Sequence, residues 1–266
     1  MPSAVFPRPT PRRACAALGA AALLLPLAAC GDDSADSRGG GGGGGRTELT
    51  VLGAASLTDV FKAAGTAYEK EHPGTRVKFS FAGSQALAAQ VEQGVPADVL
   101  ATADTTTMRG VRSETGKPAV FARNRLVIAT GEGNPKKVKD LEDLADSSLK
   151  VVLAAPEVPV GRYGKQVLEA QRLKVEPVSQ EPDVRAVLSK VELGEADAGL
   201  VYKTDAATVP GKVDAVDIPD RQNALASYPA ATLKSSEHPE EAAAFVHWLS
   251  TPPAQKLLRK AGFQHP

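Results

Sequence analysis

The feature that most constrains this chain is an alternation, from residue 46 to residue 266, of short apolar runs with segments of helical periodicity. Short apolar strands that alternate with amphipathic helices are typical of α/β proteins, in which helices cover a largely parallel sheet. With 42% hydrophobic residues, this length can bury a sizeable core, either as one large domain or as two smaller lobes. The pattern therefore predicts an α/β fold.

The pattern also places the individual elements. Strands are predicted at residues 48–52, 76–81, 99–101, 125–129, 150–154, 198–202, 213–218 and 227–233. Helices are predicted at residues 57–71, 85–93, 105–114, 162–173, 184–193, 239–249 and 254–260.

Two extended stretches, residues 123–130 and 213–233, are interpreted as crossings between lobes. Two crossings predict two lobes, with the chain returning to the first lobe at its end. The predicted division is therefore 46–125 for the first part of lobe 1, 126–218 for lobe 2 and 219–266 for the return to lobe 1, with hinges near 121–125 and 218–227. One continuous Rossmann-like sheet is the alternative.

The start of the chain is predicted to be an export signal, residues 1–29. Three arginines precede an uncharged stretch, residues 14–29, that is too short for a comfortable membrane span. The stretch ends in Leu27-Ala28-Ala29-Cys30, which resembles a bacterial lipobox, whose cysteine is lipidated and becomes the first mature residue. An ordinary signal peptide with an incidental cysteine is the alternative.

Residues 30–45 are predicted to be a lipidated cysteine followed by a flexible tether. The tether has no apolar anchor and contains seven consecutive glycines. A glycine-rich chain of this length spans about 20 Å. The sequence therefore predicts an extracytoplasmic protein, lipid-anchored at Cys30 to the outer face of the cell membrane.

Several kinds of chemistry have little support in the sequence. The only cysteines are Cys15 and Cys30, so residues 46–266 contain no thiol nucleophile and no disulfide. They also lack a GxSxG motif and paired catalytic carboxylates, so no enzyme activity is expected. The four histidines are scattered, and the formal net charge of zero gives no reason to expect a nucleic-acid partner.

Four junctions between a strand and a helix carry features of a binding site. Ser56 and Ser84 each stand at such a junction, and residues 154–161 and 180–184 form two more. The first turn of a helix exposes backbone N–H groups without an intrahelical partner and carries a partial positive charge, so it can hold an anion. Taken singly, Ser56, Ser84 and Asp183 are interpreted as helix N-caps. The set indicates an anion site.

Five ordered segments carry a resemblance to a known family. They are AASLTDVF (54–61), FAGSQALAAQVEQGVPADVLATAD (81–104), PEVPVGRYGKQVL (156–168), EPDVRAVLSKVELGEADAGLVYKTDA (181–206), and YPAA (228–231) followed by FVHWLSTPPAQKLLRKAGF (245–263). In this order and spacing they resemble the periplasmic molybdate-binding proteins of ABC importers. The resemblance covers nearly all of residues 47–263.

The resemblance implies a bilobal fold of the periplasmic-binding-protein type II class, with two α/β lobes joined by hinge strands. It implies a monomer without a cofactor that binds molybdate or tungstate in the cleft and delivers it to a membrane permease driven by an ATPase. Molybdenum is then bound only as the oxyanion.

The ligand contacts that the resemblance implies are the hydroxyl and backbone N–H groups of Ser56 and Ser84, the backbone N–H groups of Val160 and Val184, and the hydroxyl of Tyr202. Two features depart from the family: Val160 stands where alanine is common, and residues 83–85 replace a serine-rich run.

Other ligands and roles remain open at this stage. Sulfate has the same charge and shape as molybdate, and a ligand sensor or a ferric-ion receptor could use a similar fold. Phosphate needs an acceptor, for which Asp59 and Asp183 are the nearest candidates, although helix capping and first-turn charge account for both. Arg162 and Arg185 follow anion-binding junctions, but we expect them to point outward, toward Glu157 and Glu181.

Overall fold

Nine strands and eight α-helices make up the part of the chain that the computed structural model describes, residues 46–266. The predicted signal peptide, the predicted lipidation site Cys30 and the tether up to residue 45 lie outside the described residues. Within residues 46–266, no helix is both long enough and apolar enough to cross a membrane.

The elements have the following bounds. The strands are β1 (Thr47–Ala54), β2 (Thr75–Ala82), β3 (Val99–Ala101), β4 (Ala119–Gly131), β5 (Val151–Ala154), β6 (Ser179–Glu181), β7 (Ala198–Tyr202), β8 (Val213–Asp217) and β9 (Leu225–Thr232). The helices are α1 (Thr58–Glu71), α2 (Ser84–Glu92), α3 (Thr105–Gly110), α4 (Pro159–Ala170), α5 (Val184–Glu192), α6 (Lys203–Ala206), α7 (Pro239–Trp248) and α8 (Pro252–Lys260). Short 3₁₀ helices lie at Ala55–Leu57, Glu142–Ala145 and Asp220–Gln222.

All eight predicted strands and all seven predicted helices are present; β3 and β7 have the predicted bounds, and the other elements have shifted ends. Helix α4 begins three residues before the predicted residue 162, because Pro159 occupies its first turn, where the missing N–H of proline costs nothing. Helix α3 stops at Gly110 rather than at the predicted residue 114. The prediction missed β6 and α6, which have three and four residues and are too short to show a period.

Strand β4 joins two groups of strands. Its residues 119–125 pair antiparallel with β9, which continues to β3, β1 and β2. Its residues 126–131 pair with β7 and β8, and β7 continues to β5 and β6. We call β1, β2, β3 and β9 with their helices the first lobe, and β5 to β8 with theirs the second lobe. The fold is thus a bilobal α/β fold.

Parallel pairing brings the chain junctions of each lobe together. In the first lobe β1 and β2 run parallel with Ala54 opposite Ala82, the last residue of each strand. In the second lobe β5 and β6 run parallel with Ala154 opposite Glu181, again at both ends. The carboxyl ends of parallel strands share one edge of a sheet, where α/β proteins bind ligands. The register therefore places the four junctions in two adjacent pairs.

Candidate binding site between the lobes

One small cavity lies where the two lobes meet. About 200 Å³ within it is free of protein atoms. Pockets that hold drug-sized ligands measure roughly 300–1,000 Å³, so this smaller cavity suits a ligand of few atoms. Ser56, Ser84, Val160, Val184 and Tyr202 all line it. The structure therefore brings together every ligand-contacting residue that the sequence predicted.

Ser84 presents a free hydroxyl proton to this cavity. It is the first residue of α2 and is 1% exposed, and its Oγ accepts a hydrogen bond of 3.0 Å from the backbone N–H of Ala103. Because the oxygen is already an acceptor there, the hydroxyl proton is left for another partner. The N-cap residue of α2 is Gly83, so the interpretation of Ser84 as an N-cap is wrong.

The side chain of Ser56 is hydrogen-bonded to a buried tyrosine. It lies in the 3₁₀ helix between β1 and α1 and is 4% exposed. Its Oγ lies 3.1 Å from the phenolic oxygen of Tyr228, and either atom could be the donor. Neither the 3₁₀ helix nor α1 has a side-chain cap, so Ser56 is not an N-cap either.

Tyr202 contributes the second lobe's only side-chain hydroxyl in the cavity lining. The residue ends β7, is 1% exposed, and its Oη has no hydrogen-bond partner among residues 46–266. A buried hydroxyl without a partner costs free energy of about 1–3 kcal/mol, so it indicates a site built for a ligand. Burial raises the pKa of Tyr202 well above its usual value, so the group stays protonated and can donate.

Backbone donors come from three helix starts. Ser84, Val160 and Val184 lie in the first turns of α2, α4 and α5, and within the described residues their N–H groups have no acceptor. The first turn of a helix also carries about half a positive charge. Three such turns converge on the cavity from two lobes, so the cavity favours an anion.

Asp183 caps α5. Its Oδ1 accepts hydrogen bonds of 2.8 and 3.0 Å from the N–H groups of Arg185 and Ala186, so the prediction of a capping role is confirmed. It is the only ionisable carboxylate in the cavity lining, which includes no lysine or arginine. Asp59, the other candidate acceptor, faces Arg185 instead, at 2.6 Å from its Nη2.

Arg162 and Arg185 do not point toward Glu157 and Glu181, so that prediction is wrong. The guanidinium of Arg162 donates to Asp104 and Thr107, each at 2.8 Å. Arg185 contacts Asp59 and, through Nε at 2.8 Å, Asp205.

The error arose because the prediction considered only partners nearby in the sequence. The contacts from Arg162 to Asp104 and from Arg185 to Asp59 both join the second lobe to the first. A third link, from Gln85 Nε2 to the carbonyl oxygen of Pro182 at 2.8 Å, lies directly beside the cavity. In this structure the two lobes are therefore in contact beside the cavity.

Asp205 gives the protein a pH-dependent stability. The carboxyl is fully buried, and burial raises its pKa from 3.8 to about 7, although Arg185 acts in the opposite direction. With a raised pKa, the folded protein binds this proton more tightly than the unfolded chain. The stabilisation is thus present below about pH 4 and is lost as the pH rises to 7.

We expect the free energy of unfolding of Asp205→Asn, measured relative to the wild type, to increase by about 2 kcal/mol when the pH is raised from 5 to 8. The reason is that the wild type must bury a charged carboxylate at pH 8, whereas asparagine stays neutral. Urea unfolding at both pH values measures the difference. Asp217→Asn is the matched control, because Asp217 is an exposed carboxylate paired with Lys203. A free-energy difference for Asp205→Asn that is the same at both pH values would contradict the assignment.

The comparisons with known proteins agree with this geometry. A model of the family "Bacterial extracellular solute-binding protein" matches residues 49–264. The chain belongs to this family. This solute-binding protein is therefore extracytoplasmic, as the sequence predicted.

Two individual proteins with similar sequences support the same family assignment. The molybdate-binding protein ModA of Mycobacterium tuberculosis H37Rv is 39% identical over 221 residues, which cover 82% of this chain and 85% of ModA. The putative ABC transporter substrate-binding lipoprotein YvgL of Bacillus subtilis is 33% identical over 82% of this chain and 86% of YvgL. The resemblance found in the five sequence segments is thereby confirmed.

The solved structure of the periplasmic molybdate-binding protein of Azotobacter vinelandii has the same fold. It superposes on this solute-binding protein with a TM-score of 0.69, covering 82% of this chain and 99% of that one. Because the two chains are only 23% identical, this likeness concerns the fold alone. It confirms the predicted bilobal architecture.

Sequence reasoning missed the residues behind the site. Tyr228, which contacts Ser56, lies in the YPAA segment but was not predicted to have a role, and Ala103 and Gly83 also line the cavity. Tyr228 is distant from Ser56 in sequence, and no local pattern links them. The presence of its segment among the five matching ones was the only available clue.

Proposed function

We propose that this solute-binding protein captures molybdate or tungstate outside the cell membrane and delivers it to an ABC permease driven by an ATPase. The observation that carries the proposal is the convergence of hydrogen-bond donors from both lobes on one buried cavity, among them the unpartnered Tyr202 hydroxyl. The names of the relatives, ModA above all, support molybdate as the ligand.

The donor set matches a fully ionised tetrahedral oxyanion, which has only acceptors. Three hydroxyls and three backbone N–H groups face the cavity, and a hydrogen bond to a charged group contributes about 1.5–3 kcal/mol. Six of them contribute roughly 9–18 kcal/mol gross, opposed by dehydration of the anion and closure of the lobes. Micromolar binding requires about 8 kcal/mol net, so the site needs no lysine or arginine in contact with the ligand.

The proposal includes motion of the lobes. We assign residues 46–125 and 219–266 to one lobe and 126–218 to the other, because β4 changes its pairing partners between Arg125 and Leu126. Binding would close the lobes about β4 and the segment 218–227, and the permease would recognise the closed form.

The proposal also includes a lipid anchor at Cys30. The lipobox-like residues 27–30 support it, as does the lipoprotein name of YvgL. The mature protein would act as a monomer tethered through residues 30–45. No chemical step on the oxyanion is required, so we propose no enzyme activity and no cofactor. Metabolic labelling with a fatty acid, compared between the wild type and Cys30→Ala, tests the anchor.

A thermal-shift panel on residues 46–266 tests the ligand. This segment contains both hydrophobic clusters and lies within one compact unit, residues 44–266. We expect molybdate and tungstate to raise the melting temperature, because a ligand that binds only the folded state stabilises it by mass action. Sulfate, phosphate and ferric citrate should raise it much less at the same concentration. Stabilisation by sulfate, phosphate or ferric citrate alone would contradict the proposal and identify another ligand class.

Uptake by cells distinguishes transport from sensing, since both roles could use one cleft. Loss of this protein should reduce uptake of molybdate at low concentrations. Unchanged uptake, with altered gene expression in response to molybdate, would indicate a sensor.

A further inference from the structure

A row of buried polar groups leads away from the cavity behind Ser56. It runs from Ser56 Oγ to Tyr228 Oη (3.1 Å), then to Asn124 Nδ2 (3.5 Å) and on to Thr204 Oγ1 (2.8 Å). Each of these four residues is at most 4% exposed. Of these four residues only Ser56 is a proposed ligand contact, so ligand binding alone does not explain why the other three polar groups are buried there. Its members also come from both lobes and from β4, the strand that joins them.

The orientation of the Asn124 amide is fixed. The backbone N–H of Arg125 donates to Asn124 Oδ1 at 2.9 Å, which identifies this atom as the oxygen, because an amide nitrogen could not accept there. The amide nitrogen therefore faces Tyr228 and Thr204. It presents only donors to both, even though its contact with Tyr228 is at the long end for a hydrogen bond.

This orientation sets the direction of the hydrogen bond between Tyr228 and Ser56. Because Asn124 presents positive charge to the phenolic oxygen, the phenolic hydrogen points the other way, toward Ser56 Oγ. Ser56 then accepts from Tyr228, and its own hydroxyl hydrogen is directed at the cavity. Burial raises the pKa of Tyr228 well above its usual value, so the phenol keeps this hydrogen at physiological pH.

The phenol ring has little freedom to move. Tyr228 is fully buried in β9, and its ring packs edge-to-face against Tyr202, Phe121 and Phe263, with centroids 5.7, 6.5 and 5.4 Å away. A donor held so firmly restricts the rotation of the hydroxyl it contacts.

We propose that Tyr228, oriented by Asn124, is a positioning residue that makes Ser56 an obligatory donor and thereby selects oxyanions that carry no proton. A freely rotating serine can donate to a bare oxygen or accept from a protonated one. A serine whose oxygen already accepts from Tyr228 can only donate toward the ligand. A protonated ligand oxygen would then place its own hydrogen against the hydroxyl hydrogen of the serine, which is unfavourable. This inference rests on the proposed capture of a tetrahedral oxyanion.

Calorimetric titration with molybdate and with phosphate tests the inference in Tyr228→Phe. The change removes one oxygen and keeps the buried ring. We expect molybdate to bind about tenfold more weakly, and the ratio of the phosphate to the molybdate dissociation constant to fall at least threefold. Tyr68→Phe is the matched control, because Tyr68 is equally buried but packs against Phe245 and Trp248 away from the cavity.

A double-mutant cycle separates positioning from a general structural effect. If Tyr228 acts through Ser56, Tyr228→Phe should weaken molybdate binding less than twofold in a Ser56→Ala background. The same loss in both backgrounds, or unchanged binding by Tyr228→Phe, would overturn the inference. If the wild type itself binds no tetrahedral dianion, the proposed function fails, and the inference fails with it. The melting temperature without ligand verifies that each variant is folded.

Discussion

Replacing Ser56 and Ser84 together by alanine is expected to weaken molybdate binding about 10²- to 10⁴-fold. Each hydroxyl is placed to donate to the anion, and a hydrogen bond to a charged group contributes about 1.5–3 kcal/mol. The two losses should nearly add, because each serine has its own protein partner: Tyr228 for Ser56 and the N–H of Ala103 for Ser84. Isothermal titration calorimetry measures the change.

The same double variant should lose much less stability without ligand. Its free energy of unfolding is expected to fall by about 2 kcal/mol, since the contacts with Tyr228 and Ala103 are ordinary hydrogen bonds. Ser113→Ala with Ser147→Ala, two exposed serines, is the matched control. A large loss of stability together with little change in binding would mean that the two serines support the fold and not the ligand.

Replacing Gly83 by alanine is expected to weaken molybdate binding about 5- to 150-fold by obstructing closure. A Cβ at Gly83 would lie 2.5 Å from the carbonyl oxygen of Pro182, a backbone atom of the other lobe. Inserting a methyl group into such a packed contact costs about 1–3 kcal/mol. The backbone angles of Gly83, φ −57° and ψ 137°, suit alanine, so within the first lobe only the side chain of Gln85, whose amide would lie 2.6 Å from the added Cβ, has to move.

The obstruction should be specific to the closed form. Small-angle X-ray scattering should show a smaller decrease in the radius of gyration on adding molybdate for Gly83→Ala than for the wild type. Gly110→Ala is the control, because a Cβ there meets nothing within 4 Å. Wild-type affinity and full compaction in Gly83→Ala would show that the lobes do not approach each other this closely when the ligand is bound.

The sequence predicted those parts of the structure that depend on local pattern. Ser56 and Ser84 could be placed together because each follows a strand, and parallel pairing of β1 with β2 aligns the ends of both. Tyr202 was found through its segment, since a tyrosine at the end of a buried strand has no local feature that indicates a ligand. The alternative of one Rossmann-like sheet fails at β4, which pairs antiparallel with both β9 and β7, although hydrogen bonds through β4 connect all nine strands.

Contacts distant in sequence were beyond the reach of local patterns. Arg162 and Arg185 have acidic neighbours in sequence, but their partners Asp104 and Asp59 come from the other lobe, 58 and 126 residues away. Asn124 and Tyr228, two members of the row of buried polar groups, are 104 residues apart in sequence and are brought together only by the pairing of β4 with β9. Such partners follow from tertiary packing, which no single segment encodes.

The most direct test of the account is a crystal structure of residues 46–266 grown with molybdate. We expect the anion between the lobes, within hydrogen-bond distance of the hydroxyls of Ser56, Ser84 and Tyr202 and of the N–H groups of Val160 and Val184. An anion bound to a lysine or arginine elsewhere, with these three hydroxyls turned away from it, would contradict the account.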